Sequence, residues 1–229
     1  MQHHTAGDLP KAEDLYQRIL QTDPDHPDAL RLLGVISHQR GEIDIALNLI
    51  NKALTIKPDF AEAHTDLGGV LRELGQLDDV VSSYQKALAI KPNYAEAHYN
   101  LGLALQELGQ VDEAVASYHR AIAIKPDFPE AHNNLGAASK DLGKLDQAVA
   151  SCQTAIDIKP NYAEAHNNLG NANIELGRLD EAVASCQKAI EFRPKHYKAH
   201  NNLGVALNKL GKLDEAVESF QMALNLKPD

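Results

Sequence analysis

Apolar residues recur along this chain at helical spacing, in two stretches of about 13 residues within each block of 34. In the block 163–196, the first stretch places His166, Leu169 and Gly170 on one face, and the second does the same with Ala182 and Cys186. Spacing of the type i, i+3, i+4, i+7 predicts an amphipathic α-helix for each stretch. The predicted fold class is therefore all-α, a succession of helix pairs.

Three residue series repeat with the same period and stay in phase, which makes chance coincidence negligible. A glycine between the two helices suits a left-handed helix terminus, a second glycine lets the paired helices approach closely, and a proline ends the second helix because it cannot continue the hydrogen-bond ladder. The series are Gly41, Gly75, Gly109, Gly143, Gly177 and Gly211; Gly34, Gly68, Gly102, Gly136, Gly170 and Gly204; and Pro24, Pro58, Pro92, Pro126, Pro160, Pro194 and Pro228.

The block 163–196 resembles a tetratricopeptide repeat (TPR) at Leu169 and Gly170, at Ala182 and Ala189, and at Pro194. A period of 34 residues with a terminal proline is typical of that family. The resemblance implies a right-handed superhelical solenoid of antiparallel helix pairs that binds protein segments. Histidine stands where the family often has tryptophan, at His64, His98, His132, His166 and His200.

Six repeats are predicted over residues 27–229, starting at 27, 61, 95, 129, 163 and 197, and repeat positions 1 to 34 are counted from these residues. Residues 1–26 are predicted to be a partial repeat, mainly its second helix. No polar capping helix follows the last repeat, although terminal repeats need one for solubility. We therefore expect a fragment, or ends that are covered by a partner or by another copy.

Charge and composition narrow the class of partner. The formal net charge is −10, and no cluster of Lys and Arg is present that could displace the counterions of a nucleic acid. An acidic surface also disfavours anionic membranes, and no apolar run approaches the roughly 20 residues that span a bilayer. The start of the chain lacks the apolar stretch of a signal peptide. The expected partner is a protein or peptide, neither nucleic acid nor membrane, and the expected location is cytoplasmic.

The first helix of each pair is expected to line the inner, concave face, with positions 2, 5, 6, 9, 12 and 13 exposed to a ligand. Amide side chains carry donors and acceptors and can hold an extended backbone without reading its side chains. The predicted contacts are Asn100, Asn134, Asn168 and Asn202 at position 6, Tyr99, Asn133, Asn167 and Asn201 at position 5, and Asn171 and Asn208 beside them. Variable side chains such as Arg72 and Lys140 are candidates for selectivity.

Asparagine has a low helix propensity, so its recurrence at position 6 in four successive first helices suggests a functional role. The column resembles the asparagine ladder in the TPR arm of protein O-GlcNAc transferases, which implies extended protein segments as ligands. Asp66 and Leu32 depart from this pattern, so the ladder is expected to weaken towards the N-terminus. The alternative to ligand binding is that these asparagines form a neutral, solvent-exposed stripe without a function, inherited through duplication of the repeat.

Two other interpretations concern charged residues at position 2. A carboxylate clamp of the co-chaperone type is disfavoured, because acids at this position repel a carboxylate and only Lys198 could begin such a clamp. The glutamates are instead predicted to close capping boxes with the residue three positions earlier. These boxes would be Asp59 with Glu62, Asn93 with Glu96, Asp127 with Glu130, and Asn161 with Glu164.

No motif predicts catalysis, a metal site or a cofactor. Histidines on successive repeats should lie about 10 Å apart or more, too far to share a zinc ion, so they are predicted to pack against the preceding repeat. Cys152 and Cys186 occupy position 24, which Tyr84, Tyr118 and Phe220 fill in other repeats, and are predicted to be buried, reduced thiols.

The chain is therefore predicted not to be an enzyme, but a scaffold for protein interactions. Two alternatives remain open. The chain could be the substrate-recruiting arm of a longer enzyme, of the O-GlcNAc transferase type. It could also be a structural element that self-associates through its uncapped ends, where Val217, Phe220 and Leu224 would form an exposed apolar stripe.

Overall fold

The computed structural model describes residues 9–227, and every regular element within them is an α-helix. Met1–Asp8 of the predicted partial repeat, and Pro228 and Asp229 of the last repeat, lie outside the described residues. The helices are α1 Leu9–Thr22, α2 Pro27–Gln39, α3 Ile43–Ile56, α4 Ala61–Glu73, α5 Leu77–Ile90, α6 Ala95–Glu107, α7 Val111–Ile124, α8 Pro129–Asp141, α9 Leu145–Ile158, α10 Ala163–Glu175, α11 Leu179–Phe192, α12 Tyr197–Lys209 and α13 Leu213–Leu226.

The helices form two compact units, an N-terminal unit that ends at Leu108 and a C-terminal unit that begins at Gly109. In the N-terminal unit, α2 pairs with α3 and α4 with α5, while α1 packs on α2 and α6 packs on α5. In the C-terminal unit, the pairs are α8 with α9, α10 with α11 and α12 with α13, and α7 packs on α8. Each second helix also contacts the first helix of the next pair, so each unit is a stack of helix hairpins.

The turn inside each hairpin depends on glycine. Gly177 has a φ of 74° between α10 and α11, and the five equivalent glycines have φ between 70° and 79°. A residue with a Cβ atom avoids this left-handed conformation, so the predicted role of the glycine between the helices is confirmed. Asp180 and Glu181 then lie in the first turn of α11, where acidic groups favour the helix dipole.

The second glycine of each repeat lies at the contact between the paired helices. A Cβ atom on Gly170 would come 2.6 Å from Sγ of Cys186, and one on Gly136 would come 2.5 Å from Sγ of Cys152. Both thiols are buried and make no disulfide, as predicted. Burial raises the pKa of each thiol to about 12, so neither is available as a thiolate at neutral pH.

The predicted capping boxes are wrong. The helices α4, α6, α8 and α10 begin one residue later than the boxes require, so an aromatic residue becomes the N-cap and no side chain caps the helix. The basic residue at position 31 lies over the ring of this aromatic, as Lys91 does over Tyr94 at 4.4 Å. The ring thus packs in the inter-repeat turn beside the start of the helix. The N-caps are Phe60, Tyr94, Phe128 and Tyr162.

The histidine at position 4 tethers each first helix to the turn before it. Nε2 of His166 donates to the carbonyl oxygen of Pro160 at 2.9 Å, and the other four histidines make the same bond at 2.9–3.0 Å. The proline closes the preceding repeat, so the predicted packing of the histidines against that repeat is confirmed. Their rings are committed to this structural contact.

Candidate functional site

First helices of neighbouring hairpins lie side by side, and a side chain of one reaches a side chain 35 residues further on in the next. At positions 5 and 6 this register makes a row of hydrogen bonds on the first-helix face, which we define as the face that carries positions 5, 6, 9, 12 and 13. Arg31 donates to Asp66 at 2.7 Å, Asn168 donates to Asn133 at 2.9 Å, and Asn202 donates to Asn167 at 3.0 Å.

Adjacent amides within one helix continue this row. Asn133 donates from Nδ2 to Oδ1 of Asn134 at 3.0 Å, and Asn167 donates to Asn168 at 3.4 Å. The five side chains form one connected chain across α8, α10 and α12, which we call the amide network (Asn133, Asn134, Asn167, Asn168 and Asn202). Because each amide has two N–H groups and two acceptor lone pairs, these bonds do not use the full hydrogen-bonding capacity of the half-buried Asn168 and Asn202.

The exposure expected at position 5 is wrong for the middle repeats. Asn133 and Asn167 are only 4% and 6% exposed, since the first helices pack so closely that position 5 lies between them. Thr65 is also buried, and its hydroxyl donates to the carbonyl of Ala61 at 3.0 Å. Asn201, in the last described hairpin, is exposed, and Tyr99 is half-buried.

Position 6 lies at the rim of the first-helix face rather than between the helices. Asn100, Asn134, Asn168 and Asn202 are all half-buried, so part of each amide is accessible. In the N-terminal unit, Asp66 at this position has a raised pKa, because burial disfavours its charge while Arg31 opposes the effect. The link of this row between α2 and α4 is thus ionic, whereas the links among α8, α10 and α12 are made by neutral amides.

Positions 12 and 13 form a second row in the same register. His38 lies 2.9 Å from Glu73, Arg72 binds Glu107, and Lys140 lies 3.5 Å from Glu175. The two side chains predicted to confer selectivity, Arg72 and Lys140, are therefore half-buried and paired with the acid of the next repeat. Ile174, at the same position of α10, is instead buried against Ala206 and Val205 of α12.

Clefts open on the first-helix face of each unit. In the C-terminal unit a cleft of about 610 Å³ is lined by predicted site residues Asn167, Asn168, Asn171, Asn201 and Asn202. A second cleft of about 540 Å³ includes Asn133 and Asn134. In the N-terminal unit a cleft of about 430 Å³ includes Arg72 and Asn100.

The remaining predicted residues lie outside these clefts. Asn208 is exposed near the end of α12, and Lys140 and Tyr99 are half-buried on α8 and α6. Within residues 9–227, His, Cys, Asp and Glu side chains do not converge in groups of three that could hold a metal ion. The described helices are also too short or too polar to cross a membrane.

Sequence reasoning did not assign to the ligand site several residues that line the cleft of about 610 Å³. Phe220 and Leu224 of α13, together with Tyr197 and Lys227, complete its wall beside Lys198 and the amides. The signal that could have found them is a break in the repeat pattern, since position 2 carries an acid in the five preceding repeats and lysine in the last one.

Family models match nearly the whole chain. A model described as TPR repeat matches residues 68–109, 106–142 and 138–177, and two described as tetratricopeptide repeat match residues 3–67 and 161–229. Curated proteins gave no match by sequence.

Solved structures show the same fold. MamA is 28% identical, with a TM-score of 0.65, over 71% of this chain and 95% of its own. YrrB, described as a TPR protein with an unusual peptide-binding site, is 24% identical with a TM-score of 0.65, over 79% of this chain and 93% of its own. Cut9, in its complex with Hcn1, is 18% identical with a TM-score of 0.81, over 99% of this chain and 45% of its own.

Proposed function

Because this chain belongs to the tetratricopeptide-repeat family, we propose that it is a scaffold that binds an extended protein segment on its first-helix face. The observation that carries this proposal is the amide network of the C-terminal unit. Its members at positions 5 and 6 line the same clefts, and those at position 6 are half-buried whereas Asn133 and Asn167 at position 5 are almost fully buried. The ligand would contact the half-buried amides and not the buried ones.

The buried members give the exposed ones a fixed orientation. Oδ1 of Asn133 accepts from Asn168, and Oδ1 of Asn167 accepts from Asn202, so the amides of Asn168 and Asn202 are each held by the preceding repeat. A donor held in place loses less conformational entropy when a ligand binds. The second N–H of each amide can then donate to a peptide carbonyl.

A pair of matched variants tests this function. N168A/N202A removes two amides that face the ligand, and N133A/N167A removes their two buried partners, so both break the same two hydrogen bonds between repeats. Binding is measured on an array of random dodecapeptides with both ends blocked. We expect N168A/N202A to weaken binding by about two- to tenfold per lost contact.

The control separates binding from folding. N133A/N167A should lower the melting temperature to a similar degree but weaken binding less and retain the set of bound peptides, because it removes the orientation of the ligand-facing amides and not the amides themselves. An unchanged set for N168A/N202A, or equal losses for the two variants, would contradict the proposal.

Two narrower proposals remain attached to this function. The resemblance of the asparagine column to the arm of O-GlcNAc transferases makes a recruiting role for a longer enzyme a candidate, which the full-length gene tests by the presence of a catalytic domain. Free thiols at Cys152 and Cys186 are consistent with a reducing compartment such as the cytoplasm.

Self-association is a second candidate function, and the outer face of α13 favours it. Leu213, Val217 and Leu224 are 61%, 53% and 60% exposed. Contiguous exposed apolar side chains mark interfaces in soluble proteins. Phe220, which the sequence placed in this stripe, is half-buried instead, because its ring lies against Gly204.

A further inference from the structure

The turn between neighbouring hairpins holds a ring at position 34, and one of these rings can titrate. The turns before α4, α6, α8 and α10 carry aromatic rings that do not change charge near neutral pH. These rings are Phe60, Tyr94, Phe128 and Tyr162. The turn between α11 and α12 carries His196 instead, as the N-cap of α12. His196 is 8% exposed, as Phe128 is, so a titratable ring takes the place of a buried apolar one.

His196 lacks the hydrogen bond that a buried imidazole usually makes. Its Nε2 atom is buried and has no hydrogen-bond partner among residues 9–227. These residues leave only 8% of His196 exposed, so they set almost all of its environment. By contrast, His26, before α2, is half-buried, and its Nδ1 accepts from the backbone N–H of Ala29 at 3.3 Å. An imidazolium donates from both ring nitrogens, so protonation of His196 would leave a buried N–H without an acceptor.

The surroundings of His196 also oppose a positive charge on its ring. Burial lowers the pKa of His196, because the charged ring loses its hydration there. Of the nearby charges, Glu164 on α10 raises this pKa, but its carboxylate is already bound by Arg193. Arg193 at the end of α11, and Lys198 and His200 on α12, lower the pKa further. The ring is therefore neutral at neutral pH.

We infer that the turn between α11 and α12 is an acid-sensitive switch, in which protonation of His196 releases the last described hairpin from the hairpin before it. This hairpin, α12 with α13, packs through α12 on α10 and α11. An end hairpin of a repeat stack can open while the others remain folded. Because α12 carries Asn202, opening would break the hydrogen bond from Asn202 to Asn167. The effect on ligand binding rests on the proposed function, but the switch itself does not.

The direction of the pH effect follows from the neutral ring. In the opened hairpin, His196 has the ordinary histidine pKa of about 6.5, so the opened form binds the proton more readily than the closed form. The closed form therefore has its full stability above about pH 6.5 and loses stability as the pH falls below this value. One such group can increase the opening equilibrium constant by at most about tenfold between about pH 7.5 and pH 5.5.

Hydrogen exchange at the two pH values measures this opening as protection factors, which correct for the pH dependence of intrinsic exchange. In the wild type, protection of α12 and α13 should fall by about three- to tenfold at the lower pH. H196F, which gives this turn a ring that does not titrate, should reduce the fall to less than about twofold. H196Q keeps the test valid if phenylalanine does not fit, because glutamine is no larger than histidine and does not titrate.

The matched control for H196Q is H119Q, which makes the same substitution at an exposed histidine of α7. H119Q should retain the fall in protection of α12 and α13, whereas H196Q should lower their protection by the same factor at both pH values. The inference is overturned if the wild type shows no such fall, or if H196F and H196Q retain it.

Peptide binding, measured on the same array at both pH values, is a separate result. If the substitutions at His196 remove the acid dependence of exchange while no peptide binds at either pH, the switch stands and the proposed function is wrong. If peptides bind but the fall in protection is the same in the wild type and in H196F, the function stands and the switch is wrong.

Discussion

At the scale of single residues, glycine has opposite roles at neighbouring positions of α4. A Cβ atom on Gly68 would come 2.6 Å from the ring of Tyr84, which is only 2% exposed. A Cβ atom on the adjacent Gly69 would meet nothing closer than His38 at 3.8 Å, an ordinary contact. Helix propensity predicts the same gain in stability from alanine at both positions. The two positions therefore differ only in the packing around them.

We therefore predict opposite signs for two alanine substitutions. G68A should lower the free energy of unfolding by about 1–3 kcal/mol, because it overpacks the contact between the paired helices. G69A should raise it by up to about 1 kcal/mol, since alanine has the higher helix propensity. Urea unfolding of both variants measures the difference, and two losses of equal size would contradict the packing of Tyr84 against Gly68.

At the scale of helices, the two units join their first helices by different chemistry. Arg31 and Asp66 make an ionic link between α2 and α4, while Asn133 and Asn168 make a neutral one between α8 and α10. Burial raises the pKa of Asp66, so its charge depends on Arg31 to remain favourable. A pair of neutral amides avoids the cost of burying a charge. It joins two residues that are 35 positions apart, as the ionic pair does.

This equivalence predicts the outcome of exchanging one link for the other. R31N should destabilise the protein by about 1–3 kcal/mol, because it leaves a largely buried carboxylate without its cation. R31N/D66N should recover most of this loss by forming an amide pair like that of the C-terminal unit. A double-mutant cycle from thermal unfolding measures the coupling, and additive losses would show that the two links are not equivalent.

At the scale of the whole molecule, hairpins gain stability from their nearest neighbours. The last described hairpin has a neighbour on one side within the described chain, α10 and α11, and its outer helix α13 exposes Leu213 and Val217. The N-terminal and C-terminal units each contain repeated hairpins, so the same argument applies inside both.

Self-association through α13 is the prediction at this scale. We expect the mean molar mass from static light scattering to rise with protein concentration for the wild type. V217E should abolish this rise by placing a charge on the apolar face, whereas N225E, with the same change of charge at an exposed position of α13, should not. A wild-type mass that is independent of concentration would rule out this association.

Much of the fold was predictable because periodicity is a local property. The glycine turns, the all-α class and the burial of Cys152 and Cys186 follow from spacing in the sequence, and the starts expected at 27, 61, 95, 129, 163 and 197 coincide with the first residues of six helices. The prediction of capping boxes was wrong because a box requires one particular residue as the N-cap. The helices begin one residue later, with an aromatic residue as the N-cap.

The candidate site was predictable only in part. Asparagine at positions 5 and 6 marked the first-helix face, but the same residue type has two roles there. Asn167 is buried and links α10 to α12, whereas Asn168, which lines the same cleft, is half-buried and in part accessible. Both are asparagines one residue apart on one helix, so no sequence pattern distinguishes them.

The amino-acid sequence by itself determined the hairpin, its period and its turns, because these depend on helix-forming spacing and on a glycine that accepts a positive φ. Only the tertiary structure decided which side chains on the first helices pair with the next repeat and which face a ligand. The physical reason is the 35-residue offset between neighbouring first helices, which packing sets and which brings distant residues such as Asn167 and Asn202 within 3.0 Å.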